Sequence, residues 1–159
     1  MNRFAFLGIA LLLAATARAE HFVIELTIQA PQEEATAHSD TDPPPQGHNP
    51  RPICHAKVGD DLTLQFFVTS NFPHNVLKGV NVRYYIAPEK EAGNKSPPET
   101  DKASVTEGTF LMDFKPETGR VGLRQRLHID KKGAYIVRVE SEHSDNDHEH
   151  FAALDLVIE

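Results

Sequence analysis

The amino-acid sequence predicts an all-β domain, an antiparallel β-sandwich that follows a cleaved signal peptide. Apolar and polar residues alternate with a period of two along most of the chain. No long stretch repeats with the helical period of about 3.6. Clusters of Gly, Pro, Asn and Asp separate the alternating segments. These observations together predict about seven short strands joined by turns and loops.

The N-terminal segment has the three parts of a secretory signal peptide. Arg3 provides a basic start, Phe4 to Ala15 is a continuous apolar run, and Ala17-Arg18-Ala19 is a small-residue cleavage site. The apolar run is shorter than the ~20 residues that a membrane-spanning helix needs. We therefore expect residues 1–19 to be removed. Residues 20–159 should form one domain in the periplasm or outside the cell, with no membrane segment in the mature form.

The first strand is predicted after this cleavage site, where Phe22, Ile24, Leu26 and Ile28 alternate with mostly polar residues. Residues 30–52 interrupt the alternation with repeated prolines and polar residues, and they are predicted to form a long extended loop. The remaining strands are predicted from further alternating segments: Leu62 to Val68, Val80 to Ile86, Phe110 to Phe114, Val121 to Ile129, Tyr135 to Val139, and Ala152 to Ile158.

The turn before the penultimate predicted strand carries a recognisable pattern. Asp130, Gly133 and Tyr135 resemble the tyrosine corner of immunoglobulin-like and fibronectin-like domains of exported bacterial proteins. Gly59-Asp60 before an earlier strand adds to this resemblance, which covers most of residues 53–159. The resemblance implies an immunoglobulin-like sandwich in which the Tyr135 hydroxyl bonds to the backbone just upstream. It implies no particular activity.

The charge of the chain argues against polyanionic partners. Without Arg3 and Arg18, 14 basic residues stand against 23 acidic ones, which gives a net charge of −9. Nucleic acids and anionic membranes need Lys- and Arg-rich surfaces. Cys54 is the one cysteine, so no intramolecular disulfide can form, and a buried apolar role is expected for it. Covalent haem is excluded because Arg51 stands where a haem attachment motif has its first cysteine.

A segment rich in histidine and carboxylates, residues 140–150, joins the last two predicted strands. Continued alternation would turn His143, His148 and His150 toward the mouth of the core. In an immunoglobulin-like topology the loop that contains His74 lies at the same end. Imidazole suits Cu, Zn and Ni, with carboxylates as further ligands. The predicted metal ligands are His74, His143, His148, His150, Asp145 and Asp147.

Other functions stay open beside this metal hypothesis. A structural or protein–protein interaction module would use the Pro-rich loop or an exposed sheet edge. Asp145, Asp147 and Glu149 alternate as at the start of a calcium loop, but His150 replaces the expected glycine. A copper site on His21 would require His21 to be the first mature residue. A blue-copper site is disfavoured because the Cys is early in the chain.

No complete enzyme motif is present in the sequence. The chain has no Gly-x-Ser-x-Gly nucleophile elbow, no His-Glu-x-x-His zinc motif and no glycine-rich phosphate loop. We therefore expect a non-catalytic binding protein whose partner is a metal ion or another protein.

Overall fold

A computed structural model of the chain describes residues 22–39, 51–70, 77–93, 104–115, 119–143 and 146–159. These residues form nine β-strands, and none of them is helical. The strands are β1 Phe22–Gln29, β2 Glu34–His38, β3 Ile53–Ala56, β4 Leu62–Ser70, β5 Leu77–Glu89, β6 Thr106–Phe114, β7 Arg120–Leu127, β8 Gly133–His143 and β9 Asn146–Ile158. The all-β class predicted from the alternation is confirmed.

The strands form two sheets. The four-stranded sheet has the order β2-β1-β4-β7, and all of its pairs are antiparallel. The five-stranded sheet has the order β3-β9-β8-β5-β6. Its pairs are antiparallel except for β3, which runs parallel to β9 with Ile53 opposite Asp155. The molecule is therefore a sandwich in which one sheet is mixed.

The core lies between the two sheets and is built from alternate residues of the strands. On β1, Phe22, Ile24, Leu26 and Ile28 are fully buried, while their neighbours on the chain are half-buried or exposed. The same alternation places the inward residues of β4, β8 and β9 in one continuous cluster. Burying this apolar surface is the main favourable contribution to folding.

Two features of the architecture differ from the sequence prediction. The described residues form nine strands rather than about seven, and β2 lies inside residues 30–52, which are predicted to be loop. The inward residues of β2 are Ala35 and Ala37, whose small side chains give a weak apolar signal beside the nearby prolines. The short strand β3 has only Cys54 and Ala56 as buried residues, so it was also missed.

The backbone hydrogen bond expected of Tyr135, before the penultimate strand, is present. The Tyr135 hydroxyl donates a hydrogen bond of 2.8 Å to the carbonyl oxygen of Lys131. Burial also raises the pKa of Tyr135 above its ordinary value. The bond links the turn that precedes β8 to the first residues of the strand.

Glycines lie under aromatic rings on two edge strands. Gly108 of β6 lies opposite Tyr84, and Gly122 of β7 lies opposite Phe67. A Cβ at Gly108 would be 2.5 Å from Cε1 of Tyr84, and a Cβ at Gly122 would overlap the Phe67 ring. The rings of the inner strands thus lie over the edge strands, a known way of covering glycine in an edge strand.

Several predictions fall outside the described residues. These include the signal peptide at residues 1–19 and the Pro-rich part of the predicted loop at residues 40–50. Within the part of the chain that the structure describes, no helix is long and apolar enough to cross a membrane.

Candidate metal site at the polar end of the sandwich

Four strand ends meet at one end of the sandwich. In the four-stranded sheet, Phe22 at the start of β1 pairs with Ser70 at the end of β4. In the five-stranded sheet, Ser141 near the end of β8 pairs with His150 in β9. The Phe22 and His150 rings are in edge contact across the two sheets, with centroids 5.9 Å apart. We call this end of the molecule the polar end.

The core changes character at the polar end. Most of the interior is aliphatic and aromatic, but three buried serines lie at this end: Ser39, Ser70 and Ser141. Ser39 Oγ accepts a hydrogen bond of 3.1 Å from the backbone N–H of Ile24, so its polarity is used within the fold. The other two serines continue the inward faces of β4 and β8.

Ser141 is the residue that local structure does not explain. Its side chain is completely buried, and its Oγ has no hydrogen-bond partner among the residues that the structure describes. A buried hydroxyl without a partner costs about 1–3 kcal/mol relative to a satisfied one. Such groups in native proteins commonly mark the position of a bound water or ion.

His150 lies directly across the strand pair from Ser141. Its ring packs against the buried Phe22 ring, and its Nε2 atom is shielded from solvent. The alternation of β9 places His150 on the inward side, because Ala152, Leu154 and Leu156 are all buried on that side. The inward orientation expected for His150 from the sequence is therefore observed.

The structure locates the other predicted ligands only in part. His143 ends β8, and Asp147 and His148 lie in β9, but their side chains are outside the described residues. His74 and Asp145 lie outside the described residues altogether. The pairing of β8 with β9 shifts register between Glu142 and His143, so strand alternation does not fix which way His143 points.

Among the described residues, no group of three or more His, Cys, Asp or Glu side chains is close enough to hold a metal ion. Of the six predicted ligands, His150 alone has a described side chain. The metal hypothesis therefore stays a prediction for the polar end.

Two further histidines lie at the opposite end of the sandwich. The Nδ1 atom of His55 is 3.7 Å from a Glu159 carboxylate oxygen, and Nε2 of His128 is 3.5 Å from Asp61. Both imidazoles are about half exposed, at 49% and 57%. Exposed pairs of this kind contribute little to stability and indicate ordinary surface positions.

Cys54 is fully buried in the core beneath β2. Burial raises the pKa of its thiol from 9.0 to about 11, and the Glu33 carboxylate adds to the rise. Its Sγ lies 3.7 Å from the Glu33 carbonyl oxygen. Because metal binding and nucleophilic attack both require the thiolate, Cys54 is suited to neither. The buried apolar role expected from the sequence is observed.

The structure also contains an ion cluster that the sequence did not reveal. Nε and Nη2 of Arg51 each lie 2.7 Å from a carboxylate oxygen, of Asp155 and Glu89 respectively. The second Asp155 oxygen accepts a 2.6 Å hydrogen bond from Gly93 N–H. Both carboxylates are buried on the outer face of the five-stranded sheet. In the sequence, the only sign of this cluster is Asp155, a carboxylate on a face of β9 that otherwise carries Ala153 and Val157.

Comparisons with known proteins leave the family open. No protein-family model matches the chain, and no curated protein matches it. Among solved structures, the chain is similar to the crystal structure of the PmoD soluble domain from Methylocystis sp. ATCC 49242 (Rockwell), at 13% sequence identity and a TM-score of 0.44. The similarity covers 86% of this chain and 90% of that one.

Proposed function

We propose that the protein is an exported, non-catalytic binding protein that holds a divalent transition metal ion at the polar end of the sandwich. The observation that carries the proposal is the Ser141–His150 pair. A fully buried hydroxyl without a described partner lies opposite an imidazole that faces the same interior. An ordered water or metal ion beside Ser141 would give its hydroxyl the partner that it needs.

The order of residues along the chain supports the remaining ligands. His148 is two residues before His150 in β9, which is about 7 Å along a strand. His143 ends the strand that pairs with β9. His74 is four residues beyond Ser70, no more than about 14 Å at full extension. Each of these histidines is thus tied by the chain to the end that holds His150.

The chemistry of these residue types indicates the class of metal. Neutral imidazole nitrogen binds Cu, Zn and Ni well, and carboxylates from Asp145 or Asp147 would complete or orient the ligand set. Calcium prefers six to eight oxygen ligands, which a histidine-rich set does not supply. Because imidazole must be unprotonated to bind, metal affinity should weaken as pH falls below about 6.5.

Titration calorimetry of residues 20–159 with Cu(II), Zn(II) and Ni(II) tests the proposal. The test variant combines His143→Ala, His148→Ala and His150→Ala. The control combines His55→Ala and His128→Ala, two exposed histidines at the opposite end. We expect one-to-one binding by the unmodified protein and the control, and loss of binding by the test variant. Equal binding by all three proteins, or none by any, would refute the proposal.

A further inference from the structure

Strand β7 is the outer strand of the four-stranded sheet, and β4 is its one strand partner among the described residues. The Ser70 N–H donates a 2.8 Å hydrogen bond to the Gly119 carbonyl oxygen, which makes these two residues a hydrogen-bonded pair. In an antiparallel ladder such pairs recur at every second residue. The backbone groups of Arg120, Gly122, Arg124 and Arg126 therefore point away from β4, toward the free edge.

The same residues carry a row of positive charge on the outer face of the sheet. The Arg120 guanidinium is used within the fold: it lies 3.7 Å from the Phe67 ring centroid and 3.7 Å from a Glu25 oxygen. Arg124 and Arg126 are exposed, and neither forms an ion pair within the described part of the chain. Their side chains are about 7 Å apart along the strand. This row belongs to a chain whose net charge is −7.

The backbone edge and the arginines together indicate the kind of partner that could bind, an extended strand with acidic side chains. A strand added antiparallel to β7 would bond to the outward backbone groups of the arginine-bearing residues. The partner residues directly opposite would then place their side chains on the same face as Arg124 and Arg126. Glutamate or aspartate at those alternate positions would pair with the guanidinium groups.

A second copy of this chain fits the edge poorly. Antiparallel pairing of two β7 strands through their free edges would bring arginines opposite or diagonal to arginines. Like charges at these positions destabilise a strand pair. The same charges that attract an acidic strand would thus oppose self-association at this edge.

We propose that β7 is a docking edge for an extended acidic segment of another protein, which adds antiparallel to β7 and pairs alternate carboxylates with Arg124 and Arg126. This site lies on a sheet edge and does not depend on metal binding at the polar end. The backbone hydrogen bonds supply affinity, and the arginines select acidic sequences and fix their register.

The test measures fluorescence polarisation of labelled seven-residue peptides with residues 20–159. The first peptide alternates Thr or Val with Glu, and a second replaces each Glu with Lys. In two further peptides, either the Glu amides or the Val amides are N-methylated. Only the Glu amides would face β7 in the proposed register, so the Val-methylated peptide is the matched control. The Arg124→Glu, Arg126→Glu variant is compared with a Lys131→Glu, Lys132→Glu variant of equal charge change.

We expect the acidic peptide and its Val-methylated form to bind, and the Lys peptide and Glu-methylated form to bind at least about tenfold more weakly. The β7 arginine variant should lose binding, whereas the lysine variant should keep it. Equal binding of both methylated peptides would show that the arginines attract any polyanion, without strand addition. Absence of binding by the acidic peptide, or a dimer held by β7 in sedimentation, would also overturn the proposal.

Discussion

Ser141 and His150 show how one pair of residues changes the end of an apolar core. Ser141 follows Val137 and Val139 on the inward side of β8, where a further aliphatic side chain would fit the pattern. A serine there leaves a buried hydroxyl, and the cost is about 1–3 kcal/mol unless a ligand or water satisfies it. Ser141 lies opposite an inward histidine, and this is why we propose that a bound ion satisfies its hydroxyl.

Cys54 shows the opposite case, a reactive residue type made inert by its surroundings. Its burial and its pKa of about 11 leave almost no thiolate at pH 8. We expect the native protein to resist alkylation by iodoacetamide at pH 8 and to react fully once unfolded in guanidinium chloride. Intact-mass spectrometry over time would measure both rates. Similar rates in the two states would show that Cys54 is accessible in the folded protein.

Single residues were predictable from sequence where regular strands continue, and unpredictable where they do not. Two-residue alternation correctly predicted that His150 points inward, because β8 and β9 stay in register from the core strands as far as this residue. His143 lies beyond the register shift, where counting by two no longer applies. Tyr135 was predictable because its hydrogen bond to Lys131 spans only four residues and depends on a local turn.

Strands β6 and β7 are both outer strands, and both rely on glycine to accept an aromatic ring from the neighbouring strand. Phe67 lies over Gly122, and the Arg120 guanidinium stacks on the same ring. This packing holds the side chain of Arg120, the first arginine of the row on β7. Strand β7 therefore combines an outer face that is covered only around Gly122 with a backbone edge that has no strand partner among the described residues.

The Gly122→Ala substitution tests this packing. An added Cβ would be 2.6 Å from the Phe66 carbonyl oxygen and would overlap the Phe67 ring, so backbone and ring must both shift. Overpacking of this kind costs about 1–3 kcal/mol of unfolding free energy. Gly119→Ala is the control, since nothing lies within 4 Å of its added Cβ. Urea denaturation of both variants would measure the difference, and equal stabilities would contradict the packing argument.

The elements with strong alternation were predicted well, and the weak strands were not. Strands β1, β4, β5, β8 and β9 carry large apolar residues at alternate positions. In contrast, β2 and β3 contribute only Ala and Cys to the core. Strand β2 pairs with β1 across a short turn, but its alanines give only a weak apolar alternation. Strand β3 pairs with β9, and a pairing between segments so far apart leaves no local pattern in the sequence.

At the scale of the whole molecule, the ion cluster of Arg51, Glu89 and Asp155 connects distant parts of the chain. Arg51 precedes β3, Glu89 ends β5, and Asp155 lies within β9. Removing two carboxylates from water is costly, and the cluster offsets that cost only while the arginine bonds are intact. Its effect on folding should therefore depend on pH.

Glu89 determines the direction of that dependence. Burial raises its pKa above 4.5, Arg51 opposes the rise, and Asp155 adds to it. A raised pKa means that the folded state binds this proton more tightly than the unfolded state does. The resulting contribution to stability is full below the unfolded pKa and is lost as pH rises through the folded pKa. Replacement of Glu89 by Gln removes this titration.

We therefore expect the unfolding free energy of the unmodified protein, relative to Glu89→Gln, to fall as pH increases from below to above the usual titration range of glutamate. Guanidinium chloride denaturation of both proteins at several pH values would measure this difference. A difference that grew with pH would show instead that the ion pair with Arg51 outweighs the burial of Glu89.

The parallel pairing of β3 with β9 also sets an order of events. Strand β9 lies between β3 and β8. Until β9 is present, the five-stranded sheet lacks an interior strand and β3 has no strand to pair with in that sheet. Ile53 must wait for Asp155, a partner about one hundred residues later in the chain, and such long-range closures are slow. During synthesis or translocation, the five-stranded sheet would therefore stay incomplete until β9 had emerged from the ribosome or the translocation channel. The sheet would then be completed in one late step.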